Sequence, residues 1–351
     1  MKLDVVPESL MERLALRAGL IPKPFLQTVV AAGMARAPHV AVKLGVFEAL
    51  NDSAMTSEEI AGRVGTHQYS TGKLLNALTG MGYLGLKGER YSLTTDARKW
   101  LVGRSSTSLR DYILEQEFIE WRALDRLEDF LRSGAALDLH SDLGEEEWAL
   151  YQRGMLNVAS LSAAELARRV PVPAGARNML DVGGSHGYHS VVLCRRHPGL
   201  RSTVLDLPEA VRYAAPLLEM EGMGDRVVHR VGDASTEDLG VETFDLVYTS
   251  NLVHHLEEEE NRDLARRVAR ALRPGGHYVI VDSVRPRSAK EAGQIGTLGD
   301  LFFALTSRAG TWSFEEMADW QRSAGLEPKK PIRLRTGPGV GIQWAVNQGR
   351  S

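Results

Sequence analysis

Two kinds of hydrophobic spacing divide this chain. Up to about residue 170 apolar residues recur at every third or fourth position, as Val42, Val46, Phe47 and Leu50 do within His39–Leu50. That is the stripe of an amphipathic helix. Thr56 or Ser57 then precedes Glu58 and Glu59, an N-cap followed by first-turn acids. A further helical pattern covers about Ser70 to Met81. Tyr83–Leu86 and Arg90–Leu93, joined by Lys87-Gly88-Glu89, predict a β-hairpin. Three helices and a hairpin describe a winged helix. Helical segments resume over about 108–131 and 145–169, and residues 1 to about 20 read as a mobile arm or a helix completed by a partner.

Beyond Pro171-Val172-Pro173 the pattern changes. Short apolar runs at 178–182, 201–205, 226–231, 244–248 and 277–281 alternate with amphipathic stretches. Such runs are strands buried on both faces, and their alternation with helices predicts βαβ units. The tail from Pro331 to Asn347 offers two more strands around Gly337-Pro338-Gly339. The expected fold is α/β, a Rossmann-like, doubly wound, mostly parallel sheet preceded by a mainly helical winged-helix domain. The expected boundaries are 1–105, 106–170 for connecting helices, and 171–351.

Composition narrows the partners. With 43% hydrophobic and 25% charged residues the chain is of ordinary globular type. A net charge of −3 leaves no electrostatic footprint for nucleic acid. The presumptive recognition helix, Thr66 to Met81, carries one strong cation, Lys73, where a groove reader needs several. No stretch approaches the length of a membrane span, and the single cysteine, Cys194, forms no internal disulfide; a cytoplasmic protein is expected.

The chemistry concentrates in Met179-Leu180-Asp181-Val182-Gly183-Gly184-Ser185-His186-Gly187 and, at the end of the next apolar run, Asp206-Leu207-Pro208. A glycine turn between strand and helix brings backbone N–H groups close to an anionic ligand. Asp206 is placed to accept hydrogen bonds from ribose hydroxyls. Dinucleotide turns want G-x-G-x-x-G, and here the second and third positions are Ser185 and Tyr188. The pattern present is D-x-G-G-x-x-G, whose acid, Asp181, suits an ammonium group. S-adenosylmethionine, with ribose, adenine, ammonium and carboxylate, fits these features.

These segments, with Gly232-Asp233-Ala234, Asn251-Leu252-Val253-His254-His255 and Leu272-Arg273-Pro274-Gly275-Gly276, resemble class I S-adenosylmethionine-dependent methyltransferases. More narrowly, the chain is similar to dimeric small-molecule O-methyltransferases of the acetylserotonin, caffeate and bacterial natural-product type. The resemblance runs from about Phe25 to Asn347. It implies a homodimer through the N-terminal module, and a cofactor site formed by Asp181, Gly183, Gly184, Asp206, Leu207, Gly232, Asp233, Ala234, Ser250, Tyr151 and Met155. It implies His254 as general base with Asp282 as its candidate partner. It implies an apolar acceptor pocket drawn from Phe118, Trp121, Asn251, His255, Phe302, Phe303 and Trp312.

Two departures stand out: His255-Leu256 replaces the family's Asp-Trp, and the family's orienting glutamate is absent from Ser307–Trp312. Adjacent His254 and His255 point in different directions, so no metal is expected. The reading is methyl transfer to a hydroxyl of a small aromatic or polyketide-like molecule. Methylation at carbon or nitrogen by proximity alone, and a non-catalytic ligand-binding regulator, stay open.

Overall fold

The computed structural model describes residues 2–140, 142–337 and 339–349, and divides into two compact units, Met1–Leu114 and Glu115–Ser351. In the first, helices Ala31–Lys43, Val46–Ala49, Ser57–Val64 and Gln68–Gly80 and the hairpin Leu84–Lys87/Arg90–Leu93 enclose one core. Val42, Val46, Phe47, Leu50, Ile60, Leu75, Leu78 and Leu84 are its buried members, the apolar stripes read from the sequence. Thr56 and Glu59 form a reciprocal capping box. The N-terminal arm forms a helix, Leu10–Arg17, that buries none of its residues and leaves Leu10, Met11 and Leu14 exposed.

The short helix Arg110–Glu115 runs to the end of the first unit, and the second opens with two more, Glu120–Asp125 and Leu127–Ser133, where the sequence pattern suggested a helical segment over about 108–131. Arg126 leaves helical geometry between the last two, and left-handed Gly134 ends the series. The 25-residue helix Glu145–Arg169 follows. The sheet consists of β1 (Asn178–Val182), β2 (Arg201–Asp206), β3 (Val227–Val231), β4 (Phe244–Ser250), β5 (Leu272–Ser283), β6 (Glu327–Pro328), β7 (Ile332–Arg333) and β8 (Val340–Val346).

Its order is β3-β2-β1-β4-β5-β8-β6, with β7 also on β8; β1 to β5 are parallel and β8 is antiparallel. The two tail strands lie where the sequence suggested, although Pro338 between them is outside the described residues. β5 begins at Leu272, earlier than the apolar run predicts. Gly275 at φ +81° and a register shift opposite Phe244–Leu246 let the Arg-Pro-Gly-Gly segment join the strand.

Winding reverses between β1 and β4, the point where ligands of such sheets bind beyond the strand ends. Apolar clusters lie on both faces, one around Leu180, Val247, Ile280 and Trp320, the other around Met179, Val204, Leu246 and Val279. Burial of both strand faces explains the uninterrupted apolar runs.

Candidate active site

The turn after β1 is held open by backbone conformation. Gly183 (φ +69°) and Gly187 (φ +70°) are left-handed, and so is Ser185 (φ +52°), a non-glycine residue in a region disfavoured for side chains. A Cβ on Gly183 would stand 2.9 Å from Leu252 of the β4 loop, so the two loops face each other across the switch point. A Cβ on Gly184 would lie 2.5 Å from the Asp181 carboxyl carbon.

Asp181 is buried beneath that turn. Its Oδ2 accepts from Ser190 Oγ at 2.7 Å, and its Oδ1 has no partner among the described residues. Burial, opposed by the Ser190 bond and reinforced by Asp206, pushes its pKa up to about 7. An orphan buried acceptor beside a helix N-terminus suits a ligand that carries an ammonium group. Asp206, at the end of β2, accepts from Ser185 N at 2.7 Å through Oδ2 and from Leu207 N at 2.8 Å through Oδ1. Burial raises its pKa against those two bonds, and each oxygen keeps a second lone pair for a ligand.

The other cofactor candidates follow the ends of neighbouring strands or, for Met155, lie on the long helix. Leu207 is exposed and leads into the helix Pro208–Met220. Gly232 follows β3 and donates its N–H to Asp206 O at 3.0 Å. Asp233 is exposed and turns on itself, its Oδ1 accepting from Ser235 N and Oγ. Ala234 is tied through its carbonyl to Arg267, and Ser250 ends β4. Met155 lies on the long helix, and the His186 ring accepts from Tyr188 N at 3.1 Å. Burial drives His186 down to about 3 and His189 to about 4, so both imidazoles in this region are neutral at physiological pH.

Beyond β4 the chain forms a single tight turn, Val253–His255. Buried Asn261 clamps it by donating to Val253 O and Leu256 O, each at 2.9 Å. Trp312 donates its indole N–H to the same Val253 O at 2.9 Å and packs edge-on against Trp320. The sequence suggested Trp312 as a pocket wall, but it lies in the core beneath the turn. A buried indole needs an acceptor, and this carbonyl supplies it.

Buried His254 sits with Nδ1 2.7 Å from Asp282 Oδ1, which also accepts Ser283 N at 2.7 Å. Because the carboxylate oxygen accepts, Nδ1 carries the proton and Nε2 presents its lone pair. Asp282 reaches this place because β4 and β5 are neighbours in the sheet. Across from it, Gly341 on β8 leaves room for Phe314; a Cβ there would be 2.3 Å from the ring.

An aromatic group gathers beside the histidine. Phe303 lies 4.6 Å and His255 4.1 Å from the His254 ring, centre to centre, and Phe302 packs on Phe303. His140, in the loop before the long helix, stacks on Trp148, meets His255 at 5.2 Å, and pairs its Nε2 with Tyr151 Oη at 3.0 Å. Tyr151, which the resemblance assigned to the cofactor, packs in this aromatic group. Burial and neighbouring imidazoles push His255 well below the usual histidine range, and burial lowers His140 against the pull of Asp138.

Phe118 is buried with Ile119 and Leu143, against which Phe302 packs; Trp121 is half-buried on the helix Glu120–Asp125. Asn251 is exposed and left-handed, φ +51°. His140, Gln152, His229 and Asn261 escaped the sequence reading. Gln152 and His229 act through Ser185, 33 and 44 residues away, and no local motif marks any of the four.

Known proteins share this fold. The O-methyltransferase domain family matches residues 133–325, and the O-methyltransferase dimerisation domain matches 34–103. A 3-hydroxy-5-methyl-1-naphthoate 3-O-methyltransferase of Streptomyces sahachiroi is 27% identical over 92% of this chain and 95% of its own. The N,N-dimethyltransferase OxyT of Streptomyces rimosus is 29% identical over 74% of this chain and 78% of its own. The crystal structure of human N-acetylserotonin methyltransferase with S-adenosylmethionine superposes with TM-score 0.80 at 19% identity, covering 98% of this chain and all of that one. With the family matching more than half its length and the sheet and loops arranged as described, this chain belongs to the S-adenosylmethionine-dependent O-methyltransferase family.

Proposed function

We propose that this enzyme methylates a hydroxyl of a small aromatic or polyketide-like natural product, with His254 as the general base. The observation that carries this reading is the buried His254–Asp282 pair at 2.7 Å, facing a wall of aromatic side chains. S-adenosylmethionine supplies, when bound, an electrophilic methyl group on a sulfonium. Asp206 would hold its ribose, Asp233 and Ala234 its adenine, and the Gly183–Gly187 turn with Asp181 its methionyl end. Leu207, Gly232, Ser250 and Met155 complete the cradle.

The chain's own work is to hold the acceptor and take its proton. A phenol near pKa 10 and a histidine near 6.5 leave full transfer uphill by about 5 kcal/mol. The sulfonium charge beside the acceptor would favour the phenolate and narrow that gap, and Asp282 would stabilise the imidazolium without itself taking the proton. Phe302, Phe303, Phe118 and Trp121 would cover a flat acceptor and exclude water. His255, with His140 and Tyr151, adds polar atoms at the rim of that surface, and Asn251 stands beside the base.

The N-terminal segment, about 1–105, would build a homodimer, residues 106–170 would bridge to the pocket, and 171–351 would carry catalysis. A screen of hydroxylated aromatics, anilines and carbon nucleophiles with a labelled methyl donor tests the reaction class. Turnover of phenols, with a loss of about 100-fold in kcat for His254→Ala, is expected for base catalysis. Labelling of anilines alone, or only a few-fold loss in that variant, would overturn it.

A further inference from the structure

Ser185 lies at the centre of the glycine turn with its N–H, hydroxyl and carbonyl all engaged. Its N–H donates to Asp206 Oδ2 at 2.7 Å, its hydroxyl donates to Gln152 Oε1 at 2.5 Å, and its carbonyl accepts from His229 Nε2 at 2.8 Å. These partners come from three separate elements: the end of β2, the long helix, where Gln152 is buried, and β3. Ser185 itself is left-handed at φ +52°, a conformation that costs a residue with a Cβ about 1 kcal/mol or more. A strained residue persists only where its surroundings hold it, and here three bonds do so.

We propose that Gln152 and His229 are positioning residues which, by holding Ser185 left-handed, fix the Asp206 carboxylate in the orientation that binds the nucleoside of S-adenosylmethionine. The inference rests on the assignment of Asp206 to the ribose. Its chemistry is specific. A carbonyl oxygen can only accept, so His229 must carry its proton on Nε2, and a glutamine, whose amide reaches a similar position, preserves that donor. Leucine at 229 or alanine at 152 releases the turn while leaving Asp206 in place. The carboxylate then loses its fixed partner at Ser185 N and spends part of its time turned away from the ligand.

Isothermal calorimetry with S-adenosylmethionine and S-adenosylhomocysteine provides the test, alongside thermal melting of the ligand-free variants. His229→Leu and Gln152→Ala should each weaken both ligands about 5- to 20-fold. His229→Gln should return to within about threefold of the parent. Gln152→Ala combined with Ser185→Ala should weaken binding no more than either alone, because both remove one bond. Unchanged affinities in His229→Leu and Gln152→Ala, with a parent that binds, would overturn the proposal and leave the cofactor site intact. Equal weakening in His229→Gln and His229→Leu would also overturn it. A parent that binds neither ligand would instead sink the cofactor assignment.

Discussion

Asp282→Asn separates two ways in which an acid can serve a histidine base. In the parent one oxygen, Oδ1, accepts both His254 Nδ1–H and Ser283 N–H, while Oδ2 has no partner among the described residues. Ser283 N–H therefore steers the asparagine carbonyl into the Oδ1 position, and the amide nitrogen takes the vacant side. The histidine keeps its tautomer and loses only the charge that stabilises its imidazolium. A charge-assisted hydrogen bond exceeds a neutral one by about 1–2 kcal/mol, so kcat should fall about 5- to 30-fold. Asp282→Leu removes the acceptor altogether, frees the tautomer, and should cost about 100-fold or more.

Initial rates with a labelled methyl donor and a phenolic acceptor, from pH 6 to 9.5, give the measurement. Where the base is crippled, the acceptor must ionise unaided. The variants' rates should then climb about tenfold per pH unit below the phenol's pKa of about 10. The parent should climb less steeply. If both variants keep parental kcat and the parental pH profile, the pair plays no part in proton removal and the argument from its geometry fails.

Asp181→Asn tests the buried carboxyl beneath the turn. Its folded pKa, pushed up to about 7 from 3.8, means that its contribution to stability is present below about 3.8 and lost as pH rises through 7. The stability advantage of the asparagine variant should therefore grow between pH 5 and 8 in melting curves of the ligand-free protein; a constant difference contradicts the burial argument. Glu165 accepts from Arg335 N, Thr336 N and Thr336 Oγ1 and pairs with Arg169 at 2.8 Å. Burial would raise its pKa, but those partners outweigh it and hold the carboxyl at about 2. Its stabilisation is present above about 4.5 and lost as pH falls toward 2; Glu165→Gln should lower urea stability by about 2 kcal/mol at pH 7 and much less at pH 3.

Gly341→Ala forces a methyl group into Phe314 and should destabilise by about 2–3 kcal/mol, read by urea denaturation. Parental stability there would mean that the ring moves freely. His140→Ala should raise KM for the acceptor several-fold while kcat at saturation and S-adenosylmethionine affinity change less than twofold; an unchanged KM removes His140 from the acceptor surface.

Local chemistry by itself determined the parallel strands of the second unit and the turns at their ends, while the early start of β5 at Leu272 and the short helices before residue 134 departed from the local pattern. Apolar runs with acids and glycines at their ends can only be buried parallel strands with ligand-binding turns, because period and punctuation act within a few residues. The Asp181-to-Gly187 turn and Asp206 were legible for that reason. Tertiary structure decided which side chains meet. Asp282 orients His254 only because β4 and β5 are adjacent, and His140 reaches Tyr151 and His255 because its loop folds back on the long helix. Trp312 packs in the core against Trp320, where Val253 O accepts its N–H. Ser185 could be left-handed in place of glycine because Gln152, His229 and Asp206 hold it from three elements. Hydrogen bonds between residues tens of positions apart leave no periodic trace, so the sheet, not the local code, writes the inner surface of the site.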